Sequence, residues 1–117
     1  MNVVFWMDDP STFNPNKDTT YCLIHEAIAR NHSVFYASKQ SLSIQNDSLL
    51  CKAKQILPFS FGSKIIHESN SQLLTDNEIQ VIWVRCDPPV DHIYYSQMLL
   101  LDQFTSKYSS LIILNQS

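Results

Sequence analysis

The sequence predicts an α/β fold, an open and mostly parallel sheet with flanking helices. Three observations carry that expectation. First, Asn2 to Met7 is a nearly continuous apolar run closed at once by Asp8-Asp9-Pro10. A short apolar run ended by a turn signal suits a strand buried on both faces of a parallel sheet. Second, a helical pattern and then Ser33-Val34-Phe35-Tyr36-Ala37 follow it. Strand, helix, strand implies a βαβ unit with a right-handed crossover. Third, the apolar runs at 79–84 and 111–114 flank another helical pattern. Such strands with helical crossovers make an open α/β sheet.

The first helix is expected from about Thr19 to Arg30. Leu23, Ile24, Ala27 and Ile28 fall on one face at helical spacing. Asp18 suits the N-cap, and Glu26 with Arg30 forms an i,i+4 pair. Asn31 suits the stop, because Asn tolerates the left-handed conformation used after helix C-termini. Ser41–Ile44 and Leu49–Ile56 flank Asn46-Asp47 and predict a hairpin. Pro58 to Asn77 is polar and irregular and carries no assignment. Ile79 to Val84 reads as a buried strand stopped by Pro88-Pro89. Asp91 to about Tyr108 reads as a helix with Ile93, Met98, Leu101 and Phe104 among its apolar positions. Exposure of Leu99, Leu100 or Leu101 there would suggest a partner interface; burial against the sheet is the default. Leu111 to Leu114 reads as a last short strand.

Composition narrows the function classes. The 117 residues make one domain, spanning 1–117. A hydrophobic share of 44% supports a packed core and argues against disorder. Eight basic against eleven acidic residues leave a net charge of −3, which gives no electrostatic reason to prefer nucleic acid or an anionic membrane. No apolar run reaches the length of a membrane span. The start lacks a basic n-region and reads as a strand, not a signal peptide. Cys22, Cys51 and Cys86 are widely spaced and form no Cys-x-x-Cys, so neither a disulfide framework nor a structural zinc site is expected. The reading is a cytoplasmic protein with free thiols. Gly62 is the one glycine, which excludes a dinucleotide fingerprint or a Walker loop within the chain.

Two polar clusters follow directly after predicted strands. One is Asp8-Asp9-Pro10, continuing to Lys17-Asp18-Thr19-Thr20, and the other is Arg85-Cys86-Asp87-Pro88-Pro89. If the two strands are parallel, both clusters share the C-terminal edge of the sheet, where ligands of open α/β sheets bind. Thr19 and Thr20 open a helix whose free N–H groups and positive dipole end attract carboxylates or phosphates. Arg85 offers a planar fork suited to a carboxylate. Asp8, Asp9, Asp18 and Asp87 would take an ammonium group or orient the arginine. The candidate substrate-binding set is therefore Asp18, Thr19, Thr20, Arg85 and Asp87, with no catalytic and no metal-ligating residue. Each has a purely structural alternative. Asp18 caps a helix, the threonines fill its first turn, and Arg85 pairs with Asp87. Cys22 and His25 lie three apart on the helix, but no second pair completes a metal site, so they read as packing residues. Phe59-Ser60-Phe61-Gly62 is either a ligand lid or an ordinary loop.

At these clusters the sequence resembles the N-terminal, pre-ATP-grasp domain of bacterial-type glutathione synthetases. Asp9-Pro10, a short loop, Lys17-Asp18-Thr19-Thr20 and then Glu26-Ala27 look like the start of that family. Arg85-x-Asp87-Pro88-Pro89-x-Asp91, with Tyr94 or Tyr95 after it, is similar to the family's Arg-Lys-Asp-Pro-Pro-Phe-Asp segment. Leu111-Ile112-Ile113-Leu114-Asn115 is similar to the strand that leads into the ATP-grasp part. Cys86 stands where the family usually has lysine, and Asn31 where it usually has glycine. The loop from Pro10 to Lys17 is about one residue short, and the middle from Gln55 to Asn77 matches poorly.

The resemblance implies a Rossmann-like domain that helps bind γ-glutamylcysteine or glutathione and contributes to homo-oligomer contacts. ATP and magnesium belong to the rest of such an enzyme, which activates the substrate carboxyl as an acyl phosphate for attack by glycine. That ATP-grasp domain, in cis or in trans, is expected to lie outside these residues, so the chain alone is expected to be inactive. Two other function classes compete. A receiver-like phosphoacceptor signalling domain has paired aspartates like Asp8-Asp9, but it wants an acceptor aspartate where Arg85 stands and a lysine after the last strand. A non-catalytic binding or partner module is the other.

Overall fold

A computed structural model gives the order β1 (Asn2–Trp6), α1 (Thr19–Ala29), β2 (Ser33–Ala37), β3 (Leu42–Gln45), β4 (Ser48–Gln55), β5 (Gln72–Thr75), β6 (Val81–Val84), α2 (His92–Lys107) and β7 (Ile112–Asn115). The structure describes residues 1–7, 19–38, 40–46, 48–63, 66–85, 92–107 and 111–115, with 92–94, 103–107 and 115 described by backbone alone. The sheet order is β3-β4-β2-β1-β6-β7, with β5 paired to β4. β2, β1, β6 and β7 run parallel to one another. This is the α/β sheet that the strand–helix–strand pattern predicts. β4 joins β2 antiparallel and carries β3 and β5 on it, also antiparallel.

β1 sits inside the sheet because its side chains are apolar on both faces. Val3, Phe5 and Met7 pack toward α1, together with Ile24, Val34, Tyr36 and Val81. Val4 and Trp6 pack on the opposite face with Phe35, Ile82, Val84 and Leu101 of α2. The two helices therefore cover opposite faces. Phe5 stacks on Trp83 at 5.5 Å between ring centroids, and the Trp6 indole N–H donates to the Ser38 carbonyl at 2.9 Å. A buried indole needs such an acceptor.

The end of α1 follows the sequence expectation. Asn31 has φ 67°, its N–H donates to the Ile28 carbonyl, and the His32 N–H donates to the Ala27 carbonyl. These two bonds satisfy the last carbonyls in a Schellman arrangement. Glu26 and Arg30 form the expected pair at 2.8 Å, but both are well exposed, so the pair adds only about 0.3–0.5 kcal/mol. In the β3–β4 hairpin Gln45 pairs with Ser48 and Asn46 has φ 51°, as a tight two-residue turn requires.

Several elements differ from the sequence reading, β3 and β4 by a single residue at their ends. β5 lies in the region left unassigned; Leu74 is its one buried residue, so no alternation marks it. β6 starts at Val81, two residues later than expected. There the Gln80 side-chain oxygen takes the Asn2 N–H at 2.6 Å, replacing a ladder bond. The last strand is displaced by one residue and Leu111 packs in the core just before it. Along α2, Leu101 is 1% exposed, Leu100 is half-buried and Leu99 is 62% exposed. On β7, Ile112 and Leu114 are exposed, while Ile113 packs on the α2 side.

Burial also sets the chemistry of one thiol. Cys51 is in the α2-side core, and burial pushes its thiol from an ordinary value near 9 to about 12, against a smaller lowering by the Ser41 hydrogen bond. Cys22 is exposed.

Two outcomes follow from this packing. Leu101→Ala should cost about 2–5 kcal/mol of stability in urea denaturation, whereas Leu99→Ala should stay within about 0.5 kcal/mol. Equal losses would mean that the α2 face is assigned wrongly. The Cys51 thiol stays neutral in the folded chain where the unfolded chain has already lost its proton, between about pH 9 and about 12. The unfolded state then binds fewer protons, so this contribution is complete below that window and stability falls as pH rises through it. Cys51→Ala should flatten that slope, and the same denaturation measured below and within the window reads it.

Candidate functional site

The two polar clusters leave the sheet side by side. Trp6 of β1 pairs with Val84 of β6 and with Ala37 of β2 in parallel register. The Arg85 N–H donates to the Trp6 carbonyl at 2.9 Å, and the Met7 N–H donates to the Ala37 carbonyl at 2.9 Å. Arg85, Met7 and Ser38 therefore occupy the first positions beyond three adjacent strand ends. From β1 the chain passes through α1 on one face to β2. From β6 it passes through α2 on the other face to β7. The boundary between β1 and β6 is thus the switch point of the parallel sheet, the place where open α/β sheets bind ligands.

A side-chain hydrogen bond joins the clusters across 65 residues. The Arg85 Nε–H donates to Thr20 Oγ1 at 2.9 Å. Thr20 is 7% exposed and is the buried polar residue of the described core; Arg85 is half-buried. The bond uses one donor of the guanidinium and fixes its plane, leaving the terminal nitrogens at the far end of the fork. Among the described residues Arg85 makes no ion pair. Thr19 is exposed at the first position of α1. Asp8, Asp9, Asp18 and Asp87 lie outside the described residues, as does Cys86. Of the five candidate residues the structure thus brings Thr20 and Arg85 into contact, places Thr19 exposed at the start of α1 next to Thr20, and leaves Asp18 and Asp87 undescribed.

A second device at this end of α1 was not read from the sequence. Tyr21 is fully buried, and its hydroxyl donates to the Ser63 carbonyl at 2.8 Å and accepts the Gly62 N–H at 3.0 Å. Phe59 and Phe61 meet the Tyr21 ring at 5.2 and 5.7 Å between centroids. They also meet His25 edge-on. Gly62 has φ 93°, a conformation that a side chain would strain. The 59–63 loop is therefore anchored on α1, and His25 is a packing residue, as its isolation from any second ligand pair suggested. The signal available in the sequence was the aromatic spacing around the one glycine.

Among the described residues no three His, Cys, Asp or Glu side chains gather as metal ligands, and no helix is long and apolar enough to cross a membrane.

Known proteins similar to this chain share one description. The profile of the family described as "Prokaryotic glutathione synthetase, N-terminal domain" matches residues 1–117. A glutathione synthetase of Xanthomonas axonopodis pv. citri is 29% identical over 113 residues, covering 88% of this chain and 33% of the relative. One of Gloeobacter violaceus is 27% identical over 110 residues, covering 87% and 32%. One of Ralstonia nicotianae is 24% identical over 102 residues, with the same 87% and 32% coverage. The chain spans about a third of the length of the curated relatives it matches.

Thr20→Val should remove the acceptor of the Arg85 Nε–H and cost about 1.5–3 kcal/mol, the weight of a hydrogen bond to a charged group. Thr20→Ser should retain most of it. Urea denaturation of both variants measures the difference, and identical stabilities would show that the contact carries no energy.

Proposed function

Because the chain belongs to the prokaryotic glutathione synthetase N-terminal domain family, we propose that it is the substrate-side domain of a ligase that joins γ-glutamylcysteine to glycine and makes glutathione. The family match along residues 1–117 carries this reading. The contact between Arg85 and Thr20 at the switch point supports the place of the site.

In this reading Arg85 binds a carboxylate of the γ-glutamyl peptide. Thr20 holds the Nε–H, so the carboxylate meets the two terminal nitrogens, where a planar fork gives two parallel charge-assisted bonds. The first N–H groups of α1, at Thr19 and Thr20, add donors and a positive dipole end. Asp18 and Asp87 lie next to these positions in sequence and would orient the arginine or take the ligand's ammonium group. Thr20 acts here as a positioning residue, since its hydroxyl oxygen faces the guanidinium.

ATP with magnesium would supply the activation of the substrate carboxyl. Gly62 is the one glycine, so these residues hold no glycine-rich loop to cradle a phosphate. We therefore assign that chemistry to an ATP-grasp domain in cis or in trans and expect no ligase activity from these residues alone. A cytoplasmic location accords with that biosynthetic role. The exposed apolar side chains of Ile112 and Leu114 are available for contact with further protein, either that domain or another copy of the chain. The family match favours this reading over the receiver-like one, which also needs an acceptor aspartate where Arg85 follows β6.

Titration of γ-glutamylcysteine into the chain, followed by amide NMR, tests the site. Shifts should cluster at Thr19–Thr20 and Arg85, and Arg85→Ala should weaken binding by about tenfold or more, the loss of a charge-assisted bidentate contact. Arg85→Lys should recover little of it, because an ammonium lacks the fork. An absence of shifts at millimolar ligand would remove autonomous substrate binding and leave a structural or partner-docking role.

A further inference from the structure

A polar cavity of about 350 Å³ opens beside β2 and β4, lined by Tyr36, Ser38, Ser41, Lys52, Lys54 and Ser71 among others. None of these residues belongs to the site at Thr20 and Arg85. Lys52 and Lys54 are alternate residues of β4, so their side chains share one face of the sheet. Cys51 before them and Ala53 between them turn to the opposite face and are buried in the α2-side core. Two positions apart on a strand is about 6.5–7 Å, a spacing at which two ammonium groups can hold one oxyanion between them.

The backbone under these lysines is held on both sides. Lys54 pairs with Tyr36 of β2, and Lys52 pairs with Leu73 of β5 while its N–H donates to the Ser41 carbonyl at 3.0 Å. The described carboxylate nearest in charge is Glu68, whose Oε1 lies 3.9 Å from Lys54 Nζ, at the outer limit of an ion pair. One loosely paired carboxylate against two ammonium groups leaves a surplus positive charge in a chain whose net charge is −3. Ser38, Ser41 and Ser71, three residues with short hydroxyl side chains, line the same cavity. Cations with short hydroxyl donors around an open volume are chemistry for an oxyanion, and they offer nothing to an apolar ligand.

The cavity also lies on the ligand-binding edge. Ser38 and Arg85 flank Met7 at the first positions beyond three adjacent strands. Their backbones are thus two strand spacings apart, about 10 Å. This edge carries a cationic group at the β1–β6 boundary and a second cationic cluster beyond β2.

We propose that this cavity is an oxyanion subsite in which Lys52 and Lys54 bind the phosphate or carboxylate group of a small ligand. The subsite is separate from the Thr20–Arg85 site and does not require it. Its ligand is either phosphoryl-bearing or carboxylate-bearing, and the two differ in how tightly each anion is held.

Amide NMR titrations of the chain with inorganic phosphate and, separately, with glutarate test the proposal, with chloride at matched ionic strength as the control. Saturable shifts at Ser38, Ser41, Lys52–Lys54 and Ser71 are expected, larger than chloride produces. Tighter binding of phosphate would identify a phosphoryl ligand, and tighter binding of glutarate a carboxylate. Lys52→Gln and Lys54→Gln should each weaken binding by about 3- to 5-fold, the weight of a partly exposed ion pair, while Lys52→Arg should retain it. Both substitutions fall on the face of β4 away from the α2-side core, so amide dispersion should stay native and report folding directly. Shifts equal to those of chloride, or affinity unchanged in the folded double variant, would overturn the proposal. The same variants should leave γ-glutamylcysteine shifts at Thr20 and Arg85 in place, so the failure of one site is distinguishable from the failure of the other.

Discussion

The double parallel pairing of β1 is the constraint on which the rest of this structure depends. Asn2–Trp6 pair with β2 on one side, and Val3–Trp6 pair with β6 on the other. That pairing requires both faces of β1 to be covered, since a parallel strand in mid-sheet has no solvent face. α1 covers one face and α2 the other. Covering opposite faces sends the chain in opposite directions from β1 and β6, and a switch point results between them. The location of the candidate site is thus a consequence of how a short apolar strand is buried.

The same pairing explains why a threonine and an arginine 65 residues apart meet. Arg85 is held at its backbone by the Trp6 carbonyl and at its side chain by Thr20. Neither anchor is local in sequence. A half-buried guanidinium needs partners for its donors, and Thr20 supplies one from the first turn of α1. The 59–63 loop adds a further long-range tether through the Tyr21 hydroxyl. The end of α1 nearest the sheet edge is thereby held by β6 and by that loop.

Much of the fold was legible because burial imprints a pattern. β1 and β2 were read from their apolar runs, α1 from its spacing and the hairpin from Asn46. Asn31 was legible as a stop because only a few residue types accept a positive φ. β5 was not legible, since an edge strand with one buried side chain leaves no period to detect. The candidate site residues were nominated by residue type and by resemblance to a family. The bond from Arg85 to Thr20, the role of Tyr21 and the gathering of Lys52 with Ser38 and Ser71 were not legible. Each joins residues far apart in the chain, and local pattern carries no information about such pairs.

The sequence by itself determined the fold class, the two helices, the parallel core strands and the chemical character of the polar clusters. These depend on periodicity, on turn chemistry and on residue type, all of which are local. Tertiary structure decided that Thr20 and Arg85 meet at one edge of the sheet, and that β4 brings β3 and β5 onto the sheet beside β2. It also decided which thiol is inert, because the rise of Cys51 comes from desolvation by residues distant in sequence. Burial and long-range hydrogen bonding exist only once the chain has closed on itself, so these features had to await the fold.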